Sequence, residues 1–164
     1  MTRRSIYLAS PLGFAASTHS FMAELVADLR EVVVVHNPWD DQRFAAEFAR
    51  LATEDSVSVR DARLAEINRE LGRANAEAID TSDGLFAILD GVDVDSGTAA
   101  EIGYASARGK YICGLRTDFR LAGDNPGSIV NLQVEYFIVI SGGRIVTTPQ
   151  QFVSLARDFA SQPG

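Results

Sequence analysis

The sequence predicts an α/β protein: an open parallel sheet of about five strands with helices on both faces. Three observations carry that prediction. Short apolar runs such as SIYLAS (5–10), GLFAIL (84–89) and KYICGL (110–115) are continuous rather than alternating, as in strands buried on both faces. The stretches between them repeat apolar residues at helical spacing, so strand and helix alternate along the chain. The first three strand runs also close on turn residues: Pro11 and Gly13, Asn37-Pro38, and Gly91.

Taken in order, SIYLAS is the first strand, and a helix is predicted from about Ser17, with Phe21, Leu25 and Leu29 at spacing four. EVVVVHNP (31–38) reads as the second strand. DQRFAAEFARLA (41–52) sets Phe44, Phe48 and Leu51 on one helical face, and Arg60 to Ile79 does the same with Leu64, Ile67, Leu71, Ala74 and Ala78. GLFAILDG (84–91) is the third strand, followed by an acidic loop, VDVDSGT, and an amphipathic helix beginning near Thr98. KYICGLR (110–116) is the fourth strand. RTDFRLAGDNPGS (116–128) is a polar loop, long enough to suggest a binding loop. VNLQVEYFIVISGG (130–143) mixes an apolar helix start with a strand. The final stretch reads as a short edge segment and a closing helix, with Thr147 or Thr148 as N-cap and Pro149 in the first helical position. The fold expected is Rossmann-like in the broad sense, one domain over residues 1–164.

Bulk properties narrow the partners. A chain of 164 residues buries roughly 70% of the surface its unfolded form exposes. Its 46% hydrophobic and 23% charged content is ordinary for a globular protein. A net charge of −7 offers no basic footprint for nucleic acid or an anionic membrane. No apolar run approaches the ~20 residues of a membrane span, and the apolar part of MTRRSIYLASPLGF is too short for a signal peptide. The single Cys113 lies in a strand, where it reads as a small buried hydrophobe; no disulfide framework is expected, and a cytoplasmic location fits.

The stretch from Gly84 to Lys110 is the most informative. Asp93, Asp95 and Glu101 crowd one turn at the C-terminal end of a strand, where open α/β sheets bind ligands. Glu101 carries two readings. Thr98-Ala99-Ala100-Glu101 has capping-box spacing, with Thr as cap and Glu returning to its backbone N–H; Asp95 and Ser96 are alternative caps. The other reading is catalytic. A carboxylate in a first helical turn feels the positive end of the helix, and two neighbouring carboxyl groups can cleave a glycosidic bond, one attacking and one supplying a proton. Asp90 is expected to be a turn residue, and Asp93 reads as a solvated loop acid or a ligand contact. Trp39 follows the second strand at the same sheet edge, as a wall against a nucleobase or as ordinary packing. The sequence has no G-x-G-x-x-G, P-loop or G-x-S-x-G pattern, and His19 and His36 lie in no metal-ligand spacing, so no metal is expected.

IYLASPLGF, SDGLFAILDGVDVDSGTAAEIGYASARGK and NPGSIVNL together resemble the nucleoside 2-deoxyribosyltransferase family over about residues 5–135. The D-S-G-T-A-x-E-I-G-Y-A core is the most specific part. The resemblance implies a flavodoxin-like sheet and exchange of the base of a 2′-deoxynucleoside with a free nucleobase, without cofactor or metal. It implies Glu101 as the nucleophile of a covalent deoxyribosyl intermediate formed with retention, Asp95 as the acid handling the base's proton, and Tyr7 as the group orienting Glu101. Phe14 is implied to pack over the base; Gly97, within that core, and Asp93, from the loop reading above, are the further candidate substrate contacts. Asn131 is implied to enter a neighbouring subunit's sugar site, in a homo-oligomer (dimer, tetramer or hexamer) with shared sites. One position departs from the family: Asn75 aligns where an Asp is frequent, and Asn hydrogen-bonds without donating a proton.

Two competing functions stand beside base exchange. One is hydrolysis of the same bond in 2′-deoxynucleoside 5′-monophosphates, as in the related deoxynucleotide N-hydrolases. Those grip phosphate with a polar first loop, whereas SPLGF (10–14) is apolar; Arg116 and Arg120 are the cations left to meet a phosphate. The other is a non-catalytic binding module for nucleosides or nucleotides, which Asn75 favours and the pairing of Asp95 with Glu101 opposes.

Overall fold

A computed structural model describes residues 3–162. Five parallel strands form one sheet in the order β2-β1-β3-β4-β5: β1 (Ser5–Ala9), β2 (Val34–His36), β3 (Gly84–Ile88), β4 (Tyr111–Leu115) and β5 (Ile145–Val146). Alternation along the strands sorts side chains between two cores. Ile6, Leu8, Phe86 and Ile88 face one side, where α1 (His19–Arg30) and α6 (Pro149–Ser161) add Leu25, Leu29, Phe152 and Phe159. Tyr7, Ala9, Leu85 and Ala87 face the other, covered by α3 (Val57–Thr81), α4 (Ser96–Ala107) and α5 (Leu132–Ile140) through Ile79, Ile102, Val134 and Ile138. The order reverses between β1 and β3, so a crevice opens beyond their carboxyl ends; such a reversal is where open α/β sheets hold ligands. Among the described residues no helix is long and apolar enough to cross a membrane.

Several boundaries differ from the sequence reading, each for a local reason. The helix α4 begins at Ser96 rather than Thr98, because Asp95 caps it and accepts from the Thr98 N–H at 2.9 Å. That leaves Glu101 inside the second turn, with a different partner, so the capping box does not form. The predicted strand within 130–143 is instead helix. Asn131 caps α5 by accepting from the Gln133 N–H at 3.0 Å, and Val134 and Ile138 bury one turn apart. Gly142, at φ +85°, closes it: the Gly143 and Gly142 N–H groups reach the carbonyls of Ile138 and Val139, a left-handed ending that suits glycine. The second predicted helix shrinks to α2 (Ala45–Leu51), while α3 runs 25 residues. Thr148, one of the two residues expected to cap α6, does so, with its hydroxyl accepting from the Gln151 N–H at 3.3 Å.

The long loop after β4 is fastened from beneath. Arg116 is 2% exposed and donates to the carbonyls of Leu89, Gly91 and Arg120. Asp90 accepts from the N–H groups of Thr117 and Asp118 and from the Thr117 hydroxyl, so it ties the end of β3 to that loop. Arg120 is paired with Asp118, holding that carboxyl below its usual range.

Candidate active site

The site starts at β1. Tyr7 points to the α3–α4 face of the sheet and is 1% exposed, and its hydroxyl donates to Glu101 Oε1 at 2.7 Å. Glu101 Oε2 makes no hydrogen bond within the described residues. Burial pushes the Glu101 carboxyl up from the ordinary glutamate range; the Tyr7 hydrogen bond opposes that rise, and the nearby Asp95 charge adds to it. Burial, then the Glu101 charge and hydrogen bond, raise Tyr7 far above an ordinary phenol, so it stays a donor throughout the neutral range. Asp95, at the N-cap of the same helix, spends Oδ2 on the Thr98 N–H, and its Oδ1 has no hydrogen-bond partner among the described residues. A Cβ on Gly97 would lie 3.1 Å from that Oδ2, so the glycine keeps the carboxylate uncrowded.

These groups open into a cleft of about 580 Å³ that is also lined by Phe14, Trp39, Gly97 and Asn75. Trp39 is pinned by its indole N–H, which donates to the Ser10 carbonyl at 2.8 Å, and by Asn37, which caps the turn over Pro38–Asp40. Phe14 meets it edge-on, with ring centroids 4.7 Å apart. Gly13 is what permits this approach: a Cβ there would fall 2.0 Å from the indole. A smaller cavity of about 330 Å³ adjoins the cleft, sharing Asn75 and Asp41 with it and reaching Tyr7 and His36.

Six of the expected residues therefore line one cleft: Glu101, Asp95, Gly97, Phe14, Trp39 and Asn75; Tyr7 backs it through Glu101. Two lie outside it. Asp93 is exposed on the loop and accepts from the Val94 N–H at 2.7 Å. Asn131 caps α5, away from its own chain's cleft. Sequence reasoning set Phe44 and Phe48 on one helical face but missed them as site residues; both line the cleft, and Phe48 is 41% exposed. Apolar periodicity reports a face but not what the face covers. It also missed Asn68, which shares a helix face with Leu71 and Asn75 at spacings of three and seven, a pattern visible in the sequence.

Comparison with known proteins follows the same lines. The sequence profile described as nucleoside 2-deoxyribosyltransferase matches residues 6–133. An uncharacterized protein of Schizosaccharomyces pombe is 33% identical over 121 residues, covering 71% of this chain; the chain spans about half (51%) of that relative's length. The 2-desoxiribosyltransferase of Leishmania mexicana shares the fold at a TM-score of 0.55 and 23% identity, over 80% of this chain and 85% of that one. The CMP N-glycosidase BcmB of Clostridium botulinum does so at 0.54 and 19%, over 93% and 97%.

Proposed function

The chain belongs to the nucleoside 2-deoxyribosyltransferase family, and from that premise we propose that it transfers 2-deoxyribosyl groups between nucleobases. The observation that carries the proposal is the 2.7 Å Tyr7–Glu101 hydrogen bond beside Asp95 in one cleft. Glu101 is the nucleophile. Its free Oε2 bonds to the anomeric carbon as the glycosidic C–N bond breaks, and the bonding pair leaves on the base nitrogen, which takes a proton from Asp95. That step requires Asp95 in its carboxylic-acid form and leaves it as the carboxylate. An incoming base then attacks the same carbon, returns its ring N–H proton to Asp95 and expels Glu101. Two displacements at one centre give overall retention. Tyr7 holds Oε1, so the attacking oxygen is already oriented and little reorganisation is left for the reaction. A 2′-hydroxyl would crowd the carbon beside this pair, so ribonucleosides are poor substrates. Phe14 and Trp39 hold the base, and Asn75 hydrogen-bonds it or a sugar hydroxyl.

The charge of the cleft favours a nucleoside over a 5′-monophosphate. Asp41, Asp95 and Glu101 line it, and among the described residues no Lys or Arg does. Arg116 spends its donors on carbonyls and Arg120 pairs with Asp118, and neither cation that the sequence offered lines the cleft. Asn131 is proposed to serve the sugar site of a second copy, because it stands at the start of α5, where Leu132, Tyr136, Val139 and Ile140 expose an apolar face.

The test is chromatography of the protein with deoxyinosine plus adenine, beside thymidine plus adenine and the 5′-monophosphates. Deoxyadenosine should form with the wild-type chain and fall by about 10³-fold or more with Glu101→Gln. Free base without a new nucleoside would replace transfer by hydrolysis. Ligand binding without turnover would leave the binding module.

A further inference from the structure

We propose that Asn68 sets base selectivity in this cleft by reading the far edge of a purine, an inference that rests on the cleft's being a nucleoside site. Asn68, Leu71 and Asn75 lie on one face of α3 and all line the cleft. Asn75 is the inner member, since it also borders the cavity that reaches Tyr7. At about 1.5 Å of rise per residue, Asn68 stands about 10 Å farther along the wall. A base bonded to the anomeric carbon beside Glu101 points along that wall, and its far edge is the hydrogen-bonding edge. A two-ring base brings that edge within a hydrogen bond of about 3 Å from the Asn68 amide, whereas a one-ring base stops short.

The chemistry of the far end fits that reading. Neither the Asn68 nor the Asn75 side chain has a hydrogen-bond partner within the described residues, so both amides are available to a ligand. An amide offers a carbonyl acceptor and two N–H donors, so by turning over it serves a 6-amino or a 6-oxo purine. Between the two amides the wall is apolar at Leu71, and Phe44 and Phe48 of the α2 region add flat apolar surface for a ring. Because Asn68 is exposed in the free chain, replacing its amide leaves the core intact.

Equilibrium binding tests this without requiring turnover. Titration calorimetry of 2′-deoxyadenosine and of thymidine would be run on Glu101→Gln and on Glu101→Gln with Asn68→Leu. The second change should weaken deoxyadenosine by about tenfold more than it weakens thymidine, the loss expected for one hydrogen bond to a ligand edge. Equal weakening of both ligands, or a deoxyadenosine affinity within about twofold of the parent, would overturn the assignment, as would failure of the parent to bind deoxyadenosine. The predicted pattern in a protein whose wild type exchanges no base would keep Asn68 and discard the transfer reaction, so the two failures are separable.

Discussion

Glu101 is held between opposing influences: burial and Asp95 favour its neutral form, and the Tyr7 hydroxyl favours the carboxylate. Because its folded pKa lies above the ordinary glutamate value, the folded chain binds its proton more tightly than the unfolded chain does. Stability from this group is therefore full below the ordinary glutamate pKa and is lost as pH rises through the raised folded value. Glu101→Gln should consequently melt higher than wild type at neutral pH, with the gap closing at pH below the ordinary glutamate range. A variant that melts lower at neutral pH would mean the carboxylate is not under strain. On the proposed mechanism the same titration sets the acid limb of activity, since the attacking group must be ionised. At this scale much of the candidate site was legible. Carboxylates after a strand pointed to the cleft, and family resemblance added Tyr7, Phe14 and Asn75. Which cations were free was not legible, because Arg116 looks the same in sequence whether it meets phosphate or is buried under a loop.

Asp95 caps the helix α4 with one oxygen, and its other oxygen is the one proposed to handle the base's proton. Two substitutions separate the roles. Asp95→Asn keeps a good cap, so its melting point should stay close to wild type while exchange falls by about 10²-fold or more, the scale of a lost acid–base group. Asp95→Ala should lose the same activity and also about 0.5–2 kcal/mol of stability. Full activity in the Asn variant would leave Asp95 as a cap only. Element boundaries were readable where a cap was the strongest local signal, as with Thr148 and Pro149 before α6. They were misread where two caps competed, Asp95 against Thr98, and where the β-branched run of α5 masked a helix that tertiary burial sustains. The Ser141-Gly142-Gly143 ending was the sequence signal for that helix.

Across the whole molecule, periodicity predicted a parallel sheet without revealing which strand sits beside which; the order 2-1-3-4-5 was legible only through the family resemblance, which implied a flavodoxin-like sheet. That order is what brings the ends of β1, β2 and β3 together, and with them Phe14, Trp39 and Glu101. Asn131 lies beyond this arrangement in its own chain, so the proposal requires a second copy. Mixing two inactive variants, Glu101→Gln and Asn131→Ala, should restore exchange to roughly a quarter of wild type if subunits redistribute at random and sites are shared. No recovery despite demonstrated subunit exchange would confine each site to one chain.

The most direct test of the central claim is mass spectrometry of the protein incubated with deoxyinosine, quenched in acid and digested. The peptide bearing Glu101 should carry one 2-deoxyribosyl group, which adenine added before the quench removes as deoxyadenosine. An unmodified Glu101 peptide from a protein that continues to exchange bases would contradict the covalent role of Glu101.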